Sequence, residues 1–331
     1  MAVTVGTALI SACQVPNPAR GDRIPYPTTV TTVRMVKNLD NVIYGSSESQ
    51  ALDIYRPTRP NGAALLWIHG GGWADANSNP ASLASEESSG FQPVVPALYR
   101  LGWTVLSARY RGTDEAAFPA QLSDVKTAIR WAKVHAAEFG FDASSIVVAG
   151  FSAGGHLAAL AGTSQSYGEA SALPESLRSV SSRPAAVVAI DAVLDPATFP
   201  LAGGIGASNS SAVTALLGCS TPVASWQRCN SPLLAATRVA RYADATDPAM
   251  YVAAGDHDGI VNLAYQAAQP VAALTSALGD SKVWFDQIDT GSAAQYGGSD
   301  PRNHTLAAAY EINFTALQRF LTQQVPALSG A

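Results

Sequence analysis

The chain has 331 residues, 47% of them apolar and 14% charged, with 27 glycines and 20 prolines. Such a composition excludes a disordered or collagen-like chain and fits a large buried core. The formal net charge is −5 and no basic block interrupts the sequence, which argues against a nucleic-acid partner; no apolar run approaches the ~20 residues of a membrane span.

Residues 1–29 read as a leader and a tether. The run AVTVGTALISAC ends at Cys13, and Ile10-Ser11-Ala12-Cys13 is similar to a bacterial lipobox. That likeness implies a secreted or cell-surface lipoprotein of the bacterial envelope, with Cys13 as a lipidation candidate and the anchor a surface attachment rather than a span. The Pro-rich QVPNPARGDRIPYPTT then spaces the leader from the folded part.

Residues 30–325 form one domain in which short β-rich apolar runs alternate with amphipathic helical stretches. This is the pattern of an α/β fold around a mostly parallel sheet with helices on both faces. Eight strands are predicted: Val30 to Lys37, Ala51 to Tyr55, Ala63 to Ile68, Thr104 to Ala108, Ile146 to Ala149, Ala185 to Ile190, Met250 to Ala254 and Lys282 to Ile288. The clearest helix runs from Pro119 to Phe139, with Leu122, Val125, Ile129 and Ala132 near helical spacing and Gly140 closing it. Others are predicted over Ala153 to Gly162, Leu263 to Leu278 and His304 to Leu321. Ser164 to Arg183 is a polar loop with one short helix at most. Residues 195–247 are a long insertion near the strand ends where ligands bind, and read as a lid or substrate wall. Within it Cys219 and Cys229 are placed to close a small loop, a disulfide candidate pointing to an oxidising compartment.

The strongest chemical signal is Gly150-Phe151-Ser152-Ala153-Gly154-Gly155, which comes after a predicted strand and opens a small-residue helix. This is G-x-S-x-G in its strand–turn–helix setting. A turn this sharp strains the serine backbone, and bulky neighbours would strike the adjoining strand and helix. The serine oxygen is thereby presented at a helix N-terminus, where the dipole favours a developing anion. Upstream, His69-Gly70-Gly71-Gly72-Trp73 succeeds another strand, and side-chain-free backbone there can turn N–H groups toward a substrate. The N–H of Ala153 completes such an oxyanion hole. A phosphate-cradling loop would need a Lys-Ser/Thr directly after it, which is absent.

A nucleophilic serine requires a base and an orienting acid. Asp256 and Asp258 lie just past a strand, where a turn can present a carboxylate to an imidazole. Asp191 and Asp195, after the preceding strand, are more distant alternatives. Of the five histidines, His135 lies in a helix, His156 one turn past the serine in a packed position, His257 between the acids, and His69 in the glycine loop as an orienting group. His304 alone lies beyond the last strand and completes the chain order serine, acid, histidine, so it is the expected base.

These residues identify a resemblance. With HGGGW at 69–73, ARYRG at 108–112, GFSAGGHLAAL at 150–160, GDHDGIV at 255–261 and NHT at 303–305, the chain resembles the α/β-hydrolase superfamily. Within it the likeness is to HGGG-type esterases of the hormone-sensitive-lipase and feruloyl/acetyl-xylan-esterase groups. The resemblance implies an α/β-hydrolase fold with an eight-stranded sheet and a small lid insertion. It also implies a triad of Ser152, Asp258 and His304, oxyanion donors Gly71, Gly72 and Ala153, and a fold-supporting role for Asp124. Trp73, Phe151 and Tyr296 are the substrate-pocket candidates, Tyr296 through the added TGSAAQYGGSDPR segment before His304.

The implied activity is hydrolysis of short-chain, aryl or carbohydrate-linked esters, small or polymer-linked, through an acyl-enzyme. An arylformamidase- or peptidase-type amide hydrolase, or a polyester or lipid hydrolase, would use the same triad. A silent binding protein would be expected to have lost the serine or the histidine. No cofactor and no metal are expected, since neither HExxH nor a Cys/His ligand spacing occurs.

Overall fold

The computed structural model describes residues 35–74, 94–170, 173–199, 206–219, 229–256, 258–288 and 312–329. Among them one eight-stranded sheet carries the fold: β1 (Leu39–Ile43), β2 (Ala51–Tyr55), β3 (Gly62–Ile68), β4 (Thr104–Ala108), β5 (Phe141–Phe151), β6 (Ala186–Ile190), β7 (Ala249–Gly255) and β8 (Val283–Ile288). Their spatial order is β1-β2-β4-β3-β5-β6-β7-β8. β2 runs antiparallel to both of its neighbours, and every pairing from β4 to β8 is parallel. The inner strands so placed, β3, β5, β6 and β7, are covered on both faces, which is why they read as near-continuous apolar runs rather than as alternating ones.

The helices are α1 (Val94–Arg100), α2 (Ala120–Val134), α3 (Ala136–Phe139), α4 (Ala153–Thr163), α5 (Glu175–Arg178), α6 (Gly206–Leu216), α7 (Ser231–Ala236), α8 (Gln269–Leu278) and α9 (Phe314–Gln324). They divide between two cores. Ala64, Leu66 and Ile68 of β3 pack with α2, α4, α6 and α8, whereas Ala63, Leu65 and Trp67 of the same strand face α1 and α9. The two-residue side-chain period of one strand thus feeds both layers.

Three expectations shift. The first strand was expected over Val30 to Lys37, but Met35 to Lys37 is irregular and the edge strand is Leu39–Ile43. Its place is set by pairing to β2 (Leu39 opposite Ile54, Ile43 opposite Ala51), not by burial, since Leu39 and Ile43 are exposed. The helix expected over Pro119 to Phe139 breaks at His135, whose ring stacks on Trp131 at 4.0 Å while its Nδ1 lies 3.0 Å from the Trp131 carbonyl. The last helix was expected from His304 but begins at Phe314, where the Asn313 side chain accepts the Ala316 N–H at 2.9 Å and caps the first turn. His304 lies outside the described residues.

Polar staples fix the layers. Asp124 of α2 is fully buried and accepts from the Arg111 main chain and guanidinium and from Gln50 at 2.6 Å, which in turn holds the turn at Ser46 and Ser47. Its expected supporting role is carried by these contacts. Lys126, also buried, donates to the carbonyls of Gln165 and Tyr167 beyond the C-terminus of α4, at 2.8 Å each, and pairs with Glu169. Lys133 donates to the Arg183 carbonyl, Lys282 to those of Ala245 and Asp247, and Lys37 pairs with Asp53 at 2.7 Å. In the 195–247 segment, Cys219 and Cys229 form a disulfide with Cα atoms 6.1 Å apart.

Arg111→Ala would leave the Asp124 carboxylate buried and without its counter-charge. Its unfolding free energy in urea is expected to fall by about 3 kcal/mol or more, with Asp124→Asn, which keeps a hydrogen-bonding partner for Gln50, losing less. The disulfide predicts that the urea-unfolded, unreduced chain hides both thiols from a thiol reagent, and that reduction releases two.

Candidate active site

β5 ends at Phe151 and α4 begins at Ala153, leaving Ser152 alone to turn the chain. Its φ of 54° and ψ of −121° lie in a region that non-glycine residues rarely adopt. Two main-chain bonds hold it there: Ser152 N–H donates to the Ile190 carbonyl at 2.9 Å, and the His156 N–H to the Ser152 carbonyl at 3.0 Å. The surrounding glycines are steric requirements. A Cβ on Gly150 would lie 2.4 Å from the Gly154 carbonyl carbon, and one on Gly154 would lie 2.1 Å from the Ile68 oxygen. On Gly155 it would meet the Ala192 Cβ at 2.8 Å. The G-x-S-x-G-G pattern is therefore what remains when α4 is pressed against the ends of β3 and β6.

The glycine loop leaves β3 beside this turn. A Cβ on Gly70 would lie 3.1 Å from the Phe151 ring and 3.3 Å from the Ser152 Cβ, so the loop and the serine turn are in contact. Gly71 and Gly72 take φ of 101° and 62°, values open to glycine at no steric cost. Tyr110 donates to the His69 carbonyl at 3.2 Å and stacks on the His69 ring at 4.4 Å, while the His69 Nδ1 sits 2.8 Å from the Gly70 oxygen. With the Gly70 carbonyl turned inward, the Gly71 N–H of the same trans peptide points the other way. Ala153 opens α4, where main-chain N–H groups have no partner within their own helix.

Trp73 and Phe151, the expected pocket walls, are buried. The Trp73 indole is fully covered and donates to His156 Nδ1 at 3.1 Å, and Phe151 lies in the core on the opposite face of the sheet. The His156 Nε2 meets the Thr237 carbonyl at 2.7 Å, and burial pushes its pKa from 6.5 down to about 4. His156 is therefore a neutral, packed group, as its position after the serine suggested.

The acids separate by role. Asp258 lies past the end of β7, two strands from β5 and thus roughly 10 Å across the sheet, a span that a serine–imidazole–carboxylate chain bridges. Its Oδ1 accepts from the Ile260 and Val261 N–H groups at 2.7 and 2.8 Å, which sets the carboxylate plane. Asp256 donates its main-chain N–H to the Ile288 carbonyl, tying β7 to β8. Asp191, with φ of 40°, accepts the Gly255 N–H at 2.8 Å and so braces the strand that leads to Asp258. Asp195 pairs with Arg238 at 2.8 Å inside the insertion. His304, Tyr296, His257 and Cys13 lie outside the described residues.

Sequence reasoning missed Tyr110 and Asp191 as loop and strand braces and Trp73 as an anchor. The ARYRG run and the aspartate at the end of β6 were visible, but their partners are remote in sequence. Among the described residues no group of three His, Cys, Asp or Glu side chains is arranged to hold a metal ion, and no helix is long and apolar enough to cross a membrane.

The BD-FAE family model matches residues 52–270, about two thirds of the chain and all of the sheet from β2 to β7. The chain belongs to the BD-FAE family. Esterase LipC of Mycobacterium tuberculosis is 40% identical over 125 residues, covering 37% of this chain and 28% of LipC. The probable carboxylic ester hydrolase LipM of the same organism is 32% identical over 154 residues, covering 44% and 33%. The chain spans about a third of the length of the curated relatives it matches. The chain superposes on a truncated carbohydrate esterase from gut microbiota, with a TM-score of 0.69, 26% identity, and coverage of 88% of this chain and 97% of that one. A Thermogutta terrifontis esterase, Est2, shares the fold at a TM-score of 0.58 and 21% identity, over 85% and 90% of the two chains. The fold of this BD-FAE member is that of the α/β-hydrolases.

The His156 shift carries a sign. Its folded-state pKa is depressed from 6.5 to about 4, so its stabilising contribution is complete above about 6.5 and is lost as pH falls toward 4. The full span is about 3 kcal/mol. Urea unfolding monitored from pH 7 to 4 is expected to show that slope, and His156→Gln to flatten it.

Proposed function

We propose that the protein is a serine carboxylic-ester hydrolase working through Ser152, His304 and Asp258. The observation that carries this reading is the strained Ser152, set at the start of α4 and in contact with the HGGG loop. His304 takes the hydroxyl proton as Ser152 Oγ attacks the ester carbonyl, with the oxyanion held by the N–H groups of Gly71, Gly72 and Ala153. Collapse of the tetrahedral species expels the alcohol, which takes the proton from His304. Water, deprotonated by the same imidazole, then releases the acid and restores Ser152. Asp258 holds the imidazole in the tautomer that presents an acceptor nitrogen to the serine.

The substrate class we infer is short-chain, aryl or carbohydrate-linked esters, supported by the likeness to the carbohydrate esterase. Residues 195–247, the long insertion near the strand ends, supply one wall of that pocket. We also propose export to the bacterial envelope, with Cys13 as the anchor. The Cys219–Cys229 disulfide supports an oxidising compartment.

Hydrolysis of chromogenic esters from acetyl to long-chain acyl, together with a feruloyl ester, tests the activity. Turnover is expected for short-chain or feruloyl substrates. Ser152→Ala and His304→Ala should each lower kcat by about 10⁶-fold, and Asp258→Asn by about 10⁴-fold. Residual turnover in Ser152→Ala at the wild-type level would remove the nucleophile from Ser152. Hydrolysis of anilides with no ester turnover would replace the ester reading by the amide one.

A further inference from the structure

On its β3 side the glycine loop is held by His69 and Tyr110 at the His69 and Gly70 carbonyls. Gly71, exposed, and Gly72, half-buried, have no side chains of their own, and on their far side the next residue is Trp73. Trp73 has a φ of 64°, its carbonyl accepts the Thr113 N–H at 2.8 Å, and its indole is completely buried. The single polar atom of that indole goes to His156, one turn beyond the nucleophile on α4.

Resting on the hydrolase reading above, we propose that His156 is a positioning residue for the oxyanion hole. Clamped between the Trp73 indole and the Thr237 carbonyl, its ring sets where the Gly71 and Gly72 N–H groups stand relative to Ser152. The chemistry of the partners fixes the tautomer. An indole N–H only donates, so Nδ1 of His156 accepts; a carbonyl only accepts, so Nε2 carries the proton. No other side chain at this point both accepts from an indole and donates to a carbonyl while filling the space of a flat ring. The far side of the clamp is firm. Thr237 is buried at the end of α7 with its hydroxyl on the Leu234 carbonyl at 2.7 Å, and two residues on, Val239 donates to Leu194. Nucleophile and loop are thus referred to one ring: His156 is tied to Ser152 through the first turn of α4 and to Gly72 through Trp73.

The role predicts a particular failure. Without the clamp the loop N–H groups drift, and a misplacement of about 1 Å costs on the order of 100-fold in the chemical step while leaving ground-state binding nearly intact. His156→Leu and Trp73→Phe are each expected to lower kcat by about 10- to 100-fold with KM changed less than about twofold. The inhibition constant for an alkyl boronic acid, which becomes tetrahedral on Ser152 and places an oxygen in the oxyanion hole, should rise by the same factor. His156→Leu/Trp73→Phe together should be no worse than the worse single variant, because both remove one contact. His156→Gln, whose amide can accept from the indole and donate to Thr237, should recover most of the loss. A merely structural histidine would lower the melting temperature of the variants and leave the boronate constant where it is; that result, or additive losses, overturns the proposal. A wild type that neither hydrolyses esters nor binds the boronate overturns the hydrolase reading, and the proposal with it. A wild type that does both, with variants that bind the boronate equally well, overturns the clamp alone.

Discussion

The interaction on which the rest depends is the contact between α4 and the end of β3. Gly154 sits so close to the Ile68 and His69 carbonyls that a single added carbon would fall 2.1 and 2.3 Å from them. This closeness brings the first turn of the helix down onto the sheet and forces Ser152 out of ordinary backbone geometry. It also puts the HGGG loop, which leaves β3 at that point, within van der Waals reach of the serine. Dispersion and hydrogen bonding between packed elements hold the strain: Ser152 is tied on one side to Ile190 and on the other to its own helix. The strained residue and the glycines around it are one structural fact seen from two sides.

Polar groups inside the molecule then divide the labour. On one side of the sheet Asp124 gathers Arg111 and Gln50 and joins α2 to the loops below the glycine segment. Asp191 performs the corresponding task across β6 and β7, so that the turn carrying Asp258 starts from a braced strand. His69 and Tyr110, stacked face to face, take up the carbonyls of the glycine loop. Each of these buried groups has partners from a different element, which is the condition under which burial of a polar side chain is tolerated.

Much of this was legible in the sequence because it is local. Seven of the eight strands fall within a few residues of the expected positions, the inner ones because burial on both faces makes them apolar runs. The serine turn is legible because the residues it restricts, Gly150 to Gly155, are contiguous, although the carbonyls that restrict Gly154 belong to β3. The features that could not be read depend on partners far along the chain. β1 is chosen by its register with β2, so its apolar content points to the wrong residues. Trp73 reads as a pocket aromatic until its partner, 83 residues away, is seen to be His156. Asp191 could be read only as a distant alternative to Asp258; its bracing role rests on the hydrogen bond from Gly255, 64 residues away.

The four lysines of the chain, Lys37, Lys126, Lys133 and Lys282, all have their ammonium groups on acceptors within the fold. The positive charge displayed to solvent is consequently almost all guanidinium. Reagents that couple to primary amines, such as activated esters on a bead or a dye, find no side-chain amine that is idle. Acylating Lys126 or Lys282 would remove a staple as well as a charge. Attachment of this protein to a support is therefore better directed at carboxylates, which are numerous, than at lysine amines, each of which is already holding two parts of the fold together.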